Sequence, residues 1–122
     1  MTVEFTVEPV LRKDSLEMTD ADRRLVRERA EAAPCNHILV THGTDTMVET
    51  GRALLGIPGK TIVLTGSMQP ARFRNTDAVF NIGTAIGALQ SLPPGVYVVM
   101  NGRVFDPVQT RKNGAEHRFE RA

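Results

Sequence analysis

The feature that most limits how this sequence can fold is a set of short apolar segments separated by helical ones. β-Strands are predicted at residues 37–40, 61–64 and 96–100, and the second reads Thr-Ile-Val-Leu. Apolar runs of this length are typical of strands covered by helices on both faces. Strands that alternate with helices form βαβ units with a parallel sheet. The sequence therefore predicts an α/β fold.

Three helices accompany these strands. Thr19 and Asp22 have the spacing of a capping box, which predicts a helix through about Ala33. The side chains expected on its apolar side are Ala21, Leu25 and Ala32. The second helix, capped by Asp45 or Thr46, carries apolar residues through Leu55, and the third covers residues 78–89. We therefore expect a three-layer, mostly parallel, flavodoxin- or Rossmann-like sheet with helices on both faces.

The remaining segments are expected to be peripheral. Alternating apolar residues predict a half-buried or edge strand over residues 3–11. Asn101-Gly102 is typical of a hairpin turn and leads into a short strand at residues 103–105. The tail, residues 106–122, is polar and is expected to be loose. With 122 residues, the chain is long enough for one small domain, residues 1–122, with a hydrophobic core.

Composition excludes several classes of function. A net charge of +1 gives no overall attraction to nucleic acid or anionic membranes. No apolar run approaches the roughly 20 residues of a membrane-spanning helix, and the start does not resemble a signal peptide. The single cysteine, Cys35, fits a reducing compartment, so a cytoplasmic location is expected. No cluster has metal-ligand spacing, and we expect no metal and no cofactor.

The polar residues that follow two of the strands are the best candidates for chemistry. Ligands of parallel sheets bind at the carboxyl ends of the strands, which here are the loops at residues 41–45 and 65–69. The first loop lies within Thr-His-Gly-Thr-Asp-Thr, which joins hydroxyls, an imidazole and a carboxylate to a helix start. Taken alone, these threonines and the aspartate are also the expected caps of a helix.

Four segments, in order, resemble motifs of the bacterial-type L-asparaginase family. The THGTDT segment with the following Met-Val-Glu-Thr resembles the second signature of that family. The other three similar segments are 14–19 (DSLEMT), 65–70 (TGSMQP) with Asp77 and Asn81, and 110–112 (TRK). A short, one-domain branch of the family is the most similar. Gln69 stands where the family usually has an arginine.

The resemblance implies hydrolysis of L-asparagine to L-aspartate and ammonia through a threonine acyl-enzyme, with L-glutamine as a second substrate. It implies that Lys112 is the base that activates Thr44, and that Asp45 holds the substrate's α-ammonium group. Ser15 would bind the α-carboxylate, and backbone near Ser67 would contact the scissile amide. A homo-oligomer is expected. The partners are then small molecules, without nucleic acid or membrane.

Each assignment has a simpler alternative. Ser15 can be a turn residue, and Lys112 can be a solvated charge. Arg111 can occupy the lysine position instead, where it cannot act as a base because it stays protonated. His42 is interpreted as structural. The cysteine is interpreted as a packing residue rather than a reactive thiol.

The sequence lacks two features of the family. Family members begin with an apolar strand that ends in T-G-G-T-I, whose threonine is the nucleophile, and many carry a C-terminal domain; neither is in this sequence. Loss of a central strand leaves neighbouring backbone groups unpaired. The gap can be closed by direct pairing, by a swapped segment or by an upstream segment, and we expect the last. Thr44 can also replace the missing nucleophile.

Two other classes of function remain open. The chain can be a non-catalytic amino-acid-binding or interaction domain, as the missing threonine would allow. It can also be similar to the asparaginase-like subunit of tRNA-dependent amidotransferases, although its low net charge argues against tRNA contact. A dinucleotide-binding site is disfavoured because no G-x-G-x-x-G follows a strand.

Overall fold

The computed structural model describes residues 4–68, 77–113 and 118–121. Its α-helices are α1 (Asp20–Ala32), α2 (Met47–Ala53) and α3 (Ala78–Ser91). Its strands are β1 (His37–Thr41), β2 (Thr61–Thr65), β3 (Gly95–Met100), β4 (Arg103–Phe105), β5 (Thr110–Asn113) and β6 (Arg118–Arg121). Single 3-10 turns lie at Ser15–Glu17 and Pro107–Gln109.

The central sheet is mostly parallel, as the sequence predicts. Its strands follow the order β1-β2-β3-β4, with β1 parallel to β2 and β2 parallel to β3. β4 returns antiparallel to β3 through Asn101 and Gly102, whose φ angles of 54° and 76° are those of a hairpin turn. Thr41 pairs with Thr65, so the loops after β1 and β2 begin at the same level of the sheet.

Helices cover both faces of the sheet, because the apolar side chains of β2 alternate between the two faces and each face must be covered. All five residues of β2 are buried. Ile62 and Leu64 pack in one cluster that includes residues of α1 and α2, whereas Val63 packs with Ala85 of α3. The α/β prediction with helices on both faces is therefore confirmed.

The start of α1 is predicted correctly, but its buried side is not. Thr19 and Asp22 form the expected capping box. The helix packs through Ala30 and the partly buried Val26, which lie one turn apart, and Leu25 is partly buried. Ala21 and Ala32 are exposed. Alanine has too little apolar surface to mark a buried face by itself, so the apolar side predicted for α1 was wrong.

The strand predicted at residues 3–11 is absent from its described part, residues 4–11. Phe5 and Val7, the apolar residues of the alternation, are 65% and 76% exposed. A strand requires a partner for its backbone, and β1 is an edge strand that pairs with β2 alone among the described strands. The alternation supplies an apolar face, but no described strand lies beside it.

The tail is ordered rather than loose where it is described. β5 and β6 form an antiparallel pair in which Lys112 is opposite Phe119. Phe119 is 2% exposed, and its ring centroid lies 6.1 Å from that of Phe105. Phe119, an aromatic residue among charged neighbours, anchors this hairpin. The average composition of the tail is polar and does not reveal this residue.

A buried lysine binds the carbonyl groups at the C-terminal end of α1. Lys60 is 8% exposed, and its Nζ donates to the carbonyl oxygen of Ala30 at 2.7 Å and to that of Ala33. Helix ends leave such carbonyls without intrahelical partners, and a cation there also complements the helix dipole. Lys60 therefore fixes the C-terminal end of α1 against the start of β2.

We expect Lys60→Met to lower the free energy of unfolding by about 1–3 kcal/mol, because two carbonyls lose their donor, one of them in a buried hydrogen bond. Urea denaturation followed by circular dichroism measures this loss. The control is Lys13→Met, which removes an exposed ion pair with Asp22 and is expected to cost much less, because solvent screens such a pair. Equal losses in both variants would contradict the role of Lys60.

Candidate active site

The loops after β1 and β2 are held together by their backbones. The His42 amide donates to the Thr65 carbonyl at 3.0 Å. Gly66 lies so close to the His42 carbonyl oxygen that a Cβ atom at residue 66 would overlap it. The Thr41–Asp45 turn and the Thr65–Met68 loop therefore form one rigid edge at the carboxyl end of the sheet, where ligands of such sheets bind.

Lys112 joins this edge from the β5–β6 hairpin. Its Nζ lies 2.8 Å from Thr44 Oγ1 and 2.6 Å from Asp45 Oδ1. Thr44 is buried, the Lys112 side chain is 16% exposed, and the Asp45 side chain is 44% exposed. Three of the predicted site residues, far apart in the sequence, are thus in direct contact, and the carboxylate among them can be reached from solvent.

Strand alternation decides between Lys112 and its neighbour. Successive side chains of β5 point to opposite sides, so only one of Arg111 and Lys112 can face the turn. Arg111 forms an ion pair with Glu120 of β6, and its side chain is 63% exposed. The structure therefore brings Lys112, and not Arg111, to Thr44.

Arg52 of α2 fixes the start of the hairpin that carries the lysine. Its Nε donates to the Pro107 carbonyl at 2.9 Å, and a terminal nitrogen donates to the Thr110 carbonyl at 3.1 Å. Sequence reasoning missed this contact, because one arginine in a short helix resembles any other solvated charge. Arg52 supports the position of β5 from the same helix that follows the Thr41–Asp45 turn.

Ser15 lies behind the turn. The residue is 1% exposed, and a Cβ at Gly43 would come within 2.9 Å of its Oγ, so glycine is needed at residue 43. Thr46 Oγ1 donates to the Ser15 carbonyl at 2.7 Å. Among the described residues, the Ser15 hydroxyl has no hydrogen-bond partner. A buried hydroxyl without a partner is costly, so a polar ligand group that bonded to Ser15 Oγ would be stabilising.

Asp77 and Asn81 shape the second loop. Ser67 Oγ donates to Asp77 Oδ1, and the Met68 amide donates to Asp77 Oδ2 at 2.9 Å. Asn81, fully buried, donates to the Gly66 carbonyl at 2.8 Å and accepts from the Asn101 amide at 2.9 Å. The Ser67 hydroxyl is thus engaged with Asp77 at the start of α3, and Gln69 lies outside the described residues.

His42 is anchored on both ring nitrogens. Its Nδ1 lies 2.6 Å from the Gly43 carbonyl oxygen, and its Nε2 lies 2.7 Å from Thr50 Oγ1. Arg23 Nε donates to the same Thr50 oxygen at 3.1 Å. Burial lowers the pKa of His42 below its usual value, and the Arg23 charge lowers it further against the opposing effects of Gly43 and Glu49.

The arrangement suits proton transfer at a hydroxyl beside a carboxylate. An amine in hydrogen-bond contact with a threonine hydroxyl can take its proton when neutral, and the adjacent carboxylate can bind a cationic group.

In the part of the chain that the structure describes, no three His, Cys, Asp or Glu side chains are grouped to hold a metal ion. None of the described helices is long and apolar enough to cross a membrane.

Comparison with known proteins gives consistent matches. The family model described as Asparaginase, N-terminal, matches residues 1–119. The L-asparaginase of Thermococcus kodakarensis is 40% identical over 70 residues, which are 55% of this chain and 21% of that protein. A glutamyl-tRNA(Gln) amidotransferase subunit of Methanococcus vannielii is 36% identical over 83 residues, 66% of this chain and 20% of that one.

A solved structure has the same fold. The crystal structure of L-asparaginase I from Vibrio cholerae superimposes with a TM-score of 0.80 and 29% sequence identity. The match covers 89% of this chain and 35% of that protein. The chain therefore spans about a fifth to a third of the proteins it resembles.

Proposed function

Because the chain belongs to the asparaginase family, by a family match over residues 1–119, we propose that it carries out amide hydrolysis of L-asparagine. The observation that carries the proposal is the contact of Lys112 with both Thr44 and Asp45. Similarity to L-asparaginases of two organisms supports the same reaction. L-Glutamine, one methylene longer, is the expected weaker substrate.

Lys112 acts as the base for a threonine hydroxyl. The hydroxyl within its reach is that of Thr44, at 2.8 Å. Loss of its proton allows the oxygen to attack the side-chain amide carbon; the carbon–nitrogen bond breaks, and the same lysine returns the proton to the departing ammonia. Water then hydrolyses the ester, releases L-aspartate and restores the hydroxyl. Each step balances without a cofactor.

Substrate binding is assigned to the groups around this pair. Asp45 holds the α-ammonium group, and its exposure of 44% supports access from solvent. Ser15 binds the α-carboxylate, which would supply the partner that its buried hydroxyl lacks among the described residues. Backbone beside Ser67 contacts the scissile amide. Neither serine is proposed to bond covalently to the substrate.

Ammonia release from L-asparagine tests the proposal, with Asp45→Asn as the diagnostic variant. We expect the KM to rise about 10- to 100-fold, since a hydrogen bond between charged groups contributes roughly 1.5–3 kcal/mol. The control is Glu31→Gln, which neutralises a carboxylate with comparable exposure, 51%, away from the site. A KM equally raised by both variants would contradict the role of Asp45.

A second candidate is an amino-acid-binding domain that does not catalyse hydrolysis. The solvent-reachable Asp45 carboxylate, and the buried Ser15 hydroxyl without a partner among the described residues, favour this candidate, because both suit binding of an amino acid without requiring hydrolysis. It predicts that L-aspartate raises the unfolding temperature while no ammonia forms. Ammonia release by the chain would exclude it.

A third candidate is an amidotransferase-type component, favoured by the similarity to a glutamyl-tRNA(Gln) amidotransferase subunit. It predicts tRNA binding that weakens steeply with salt. Homo-oligomer formation and a cytoplasmic location are further parts of the proposal, which light scattering and cell fractionation would test.

A further inference from the structure

The contacts of His42 have a consequence for its proton. The Gly43 carbonyl can only accept a hydrogen bond, so the Nδ1 atom 2.6 Å from it carries the hydrogen. In the neutral ring Nε2 is then an acceptor, and the hydroxyl 2.7 Å away, that of Thr50, must donate to it. The tautomer follows from the partners on the two sides of the ring.

Thr50 is held in the donating orientation from a third element. Its Oγ1 accepts from Arg23 Nε of α1 at 3.1 Å, so its single hydrogen is free to point at the histidine. Thr50 is fully buried, and the Arg23 side chain is 12% exposed. Hydrogen bonds thus run from Arg23 to Thr50, then to His42 and then to the Gly43 carbonyl. Each of these bonds pairs one donor with one acceptor.

We propose that Arg23, Thr50 and His42 form a positioning relay that fixes the Gly43 carbonyl and, through it, the orientation of Thr44 and Asp45. The relay connects α1 to the turn that carries the site. Its catalytic consequence rests on the proposed function, whereas its hydrogen-bond pattern does not. His42 acts through the backbone and does not contact the substrate.

The relay depends on the charge of the ring. The charged groups that act on it are Arg23 of α1, which lowers its pKa, and Glu49 of α2, which raises it; burial, the largest effect, also lowers it. Below this pKa Nε2 carries a hydrogen, so it can no longer accept from Thr50. Acid therefore reverses this one bond: the charged ring donates to Thr50 Oγ1, and the Thr50 hydrogen must turn away from the histidine.

Nitrogen-15 NMR of the His42 ring tests the relay directly. In the unaltered chain near neutral pH we expect the Nδ1–H tautomer with a hydrogen-bonded Nε2. Thr50→Val should give the Nε2 shift of a nitrogen without a donor, and Thr50→Ser should restore the original shift. The Nε2–H tautomer in the unaltered chain, or a Thr50→Val spectrum unchanged at Nε2, would overturn the proposal.

Titration of the His42 ring tests the effects of the two charged neighbours with a pair of variants. Arg23→Met should move the His42 midpoint upward, because a nearby positive charge is lost, and Glu49→Gln should move it downward. The control is Arg24→Met, which removes an exposed guanidinium from the adjacent residue and should leave the midpoint in place. A midpoint that Arg23→Met leaves unchanged, or that Arg24→Met moves as far, contradicts the relay.

The catalytic consequence is measured separately. Thr50→Val should lower kcat for ammonia release roughly tenfold or more, since small misplacements of catalytic groups are costly, and Thr50→Ser should recover most of it. If the unaltered chain releases no ammonia, the proposed function fails while the NMR experiment still decides the relay. If ammonia forms and Thr50→Val leaves kcat unchanged, the relay does not position the site.

Discussion

Replacing Lys112 by methionine will lower kcat for ammonia release from L-asparagine by about 10²–10⁴-fold, the usual contribution of a general base. The methionine keeps an unbranched apolar side chain but cannot take the proton of the Thr44 hydroxyl, which the Lys112 amine approaches to 2.8 Å. It also removes the ion partner of Asp45. A continuous ammonia assay over a range of L-asparagine concentrations separates kcat from KM.

Two controls separate the possible causes of this loss. Lys112→Arg preserves a cation beside Asp45 but cannot serve as a base, so its kcat should fall nearly as far as that of Lys112→Met. Arg111→Met removes the neighbouring cation, which is paired with Glu120 on the other side of the strand, and should retain activity. Full activity in Lys112→Arg would mean that charge, rather than proton transfer, is what the site requires.

Replacing Gly66 by alanine will separate the two loops of the site. The added Cβ would overlap the His42 carbonyl oxygen, and its next neighbour, Met47 Cε, would lie at 3.1 Å. A backbone oxygen cannot move aside as a flexible side chain can. We expect the free energy of unfolding to fall by roughly 1–3 kcal/mol or more, and kcat to fall about 100-fold as the Thr44 turn is displaced.

Gly83 of α3 offers the matched control. A Cβ there would meet nothing within 4 Å, so Gly83→Ala should stabilise the chain by about 0.5–1 kcal/mol through helix propensity. Urea denaturation of both variants gives the two free energies, and the ammonia assay gives the effect on the site. Destabilisation of equal size in both variants would mean that the contact at Gly66 carries no special cost.

Much of the fold was predictable because its signals are local. The mainly apolar run at residues 61–64 predicted a strand between two helical layers, and β2 is buried along its whole length. Thr19 and Asp22 predicted the start of α1, and Asn101-Gly102 predicted the turn into β4. Each of these signals lies within a few residues and reports on its own backbone, so no distant partner is needed to interpret it.

The incorrect predictions concern features that depend on a partner elsewhere in the chain. The alternation at residues 3–11 predicted a strand, but a strand forms only beside another, and no described strand flanks it. The wrong side of α1 was chosen because alanines carry little hydrophobic signal, whereas contact with the sheet selects Ala30 and Val26. The tail was expected to be loose because the anchoring role of Phe119 becomes visible only in its contact with Phe105, which lies outside the tail.

The sequence by itself determined which loops meet at the candidate site, because parallel strands bring their carboxyl ends to one edge whatever the packing around them. It could not decide between Arg111 and Lys112, nor reveal the pairing of Lys112 with Asp45 or the relay from Arg23 to His42. Those contacts join residues up to 67 positions apart. Only the packing of helices and hairpin against the sheet fixes such distances, since separation along a chain does not constrain separation in space.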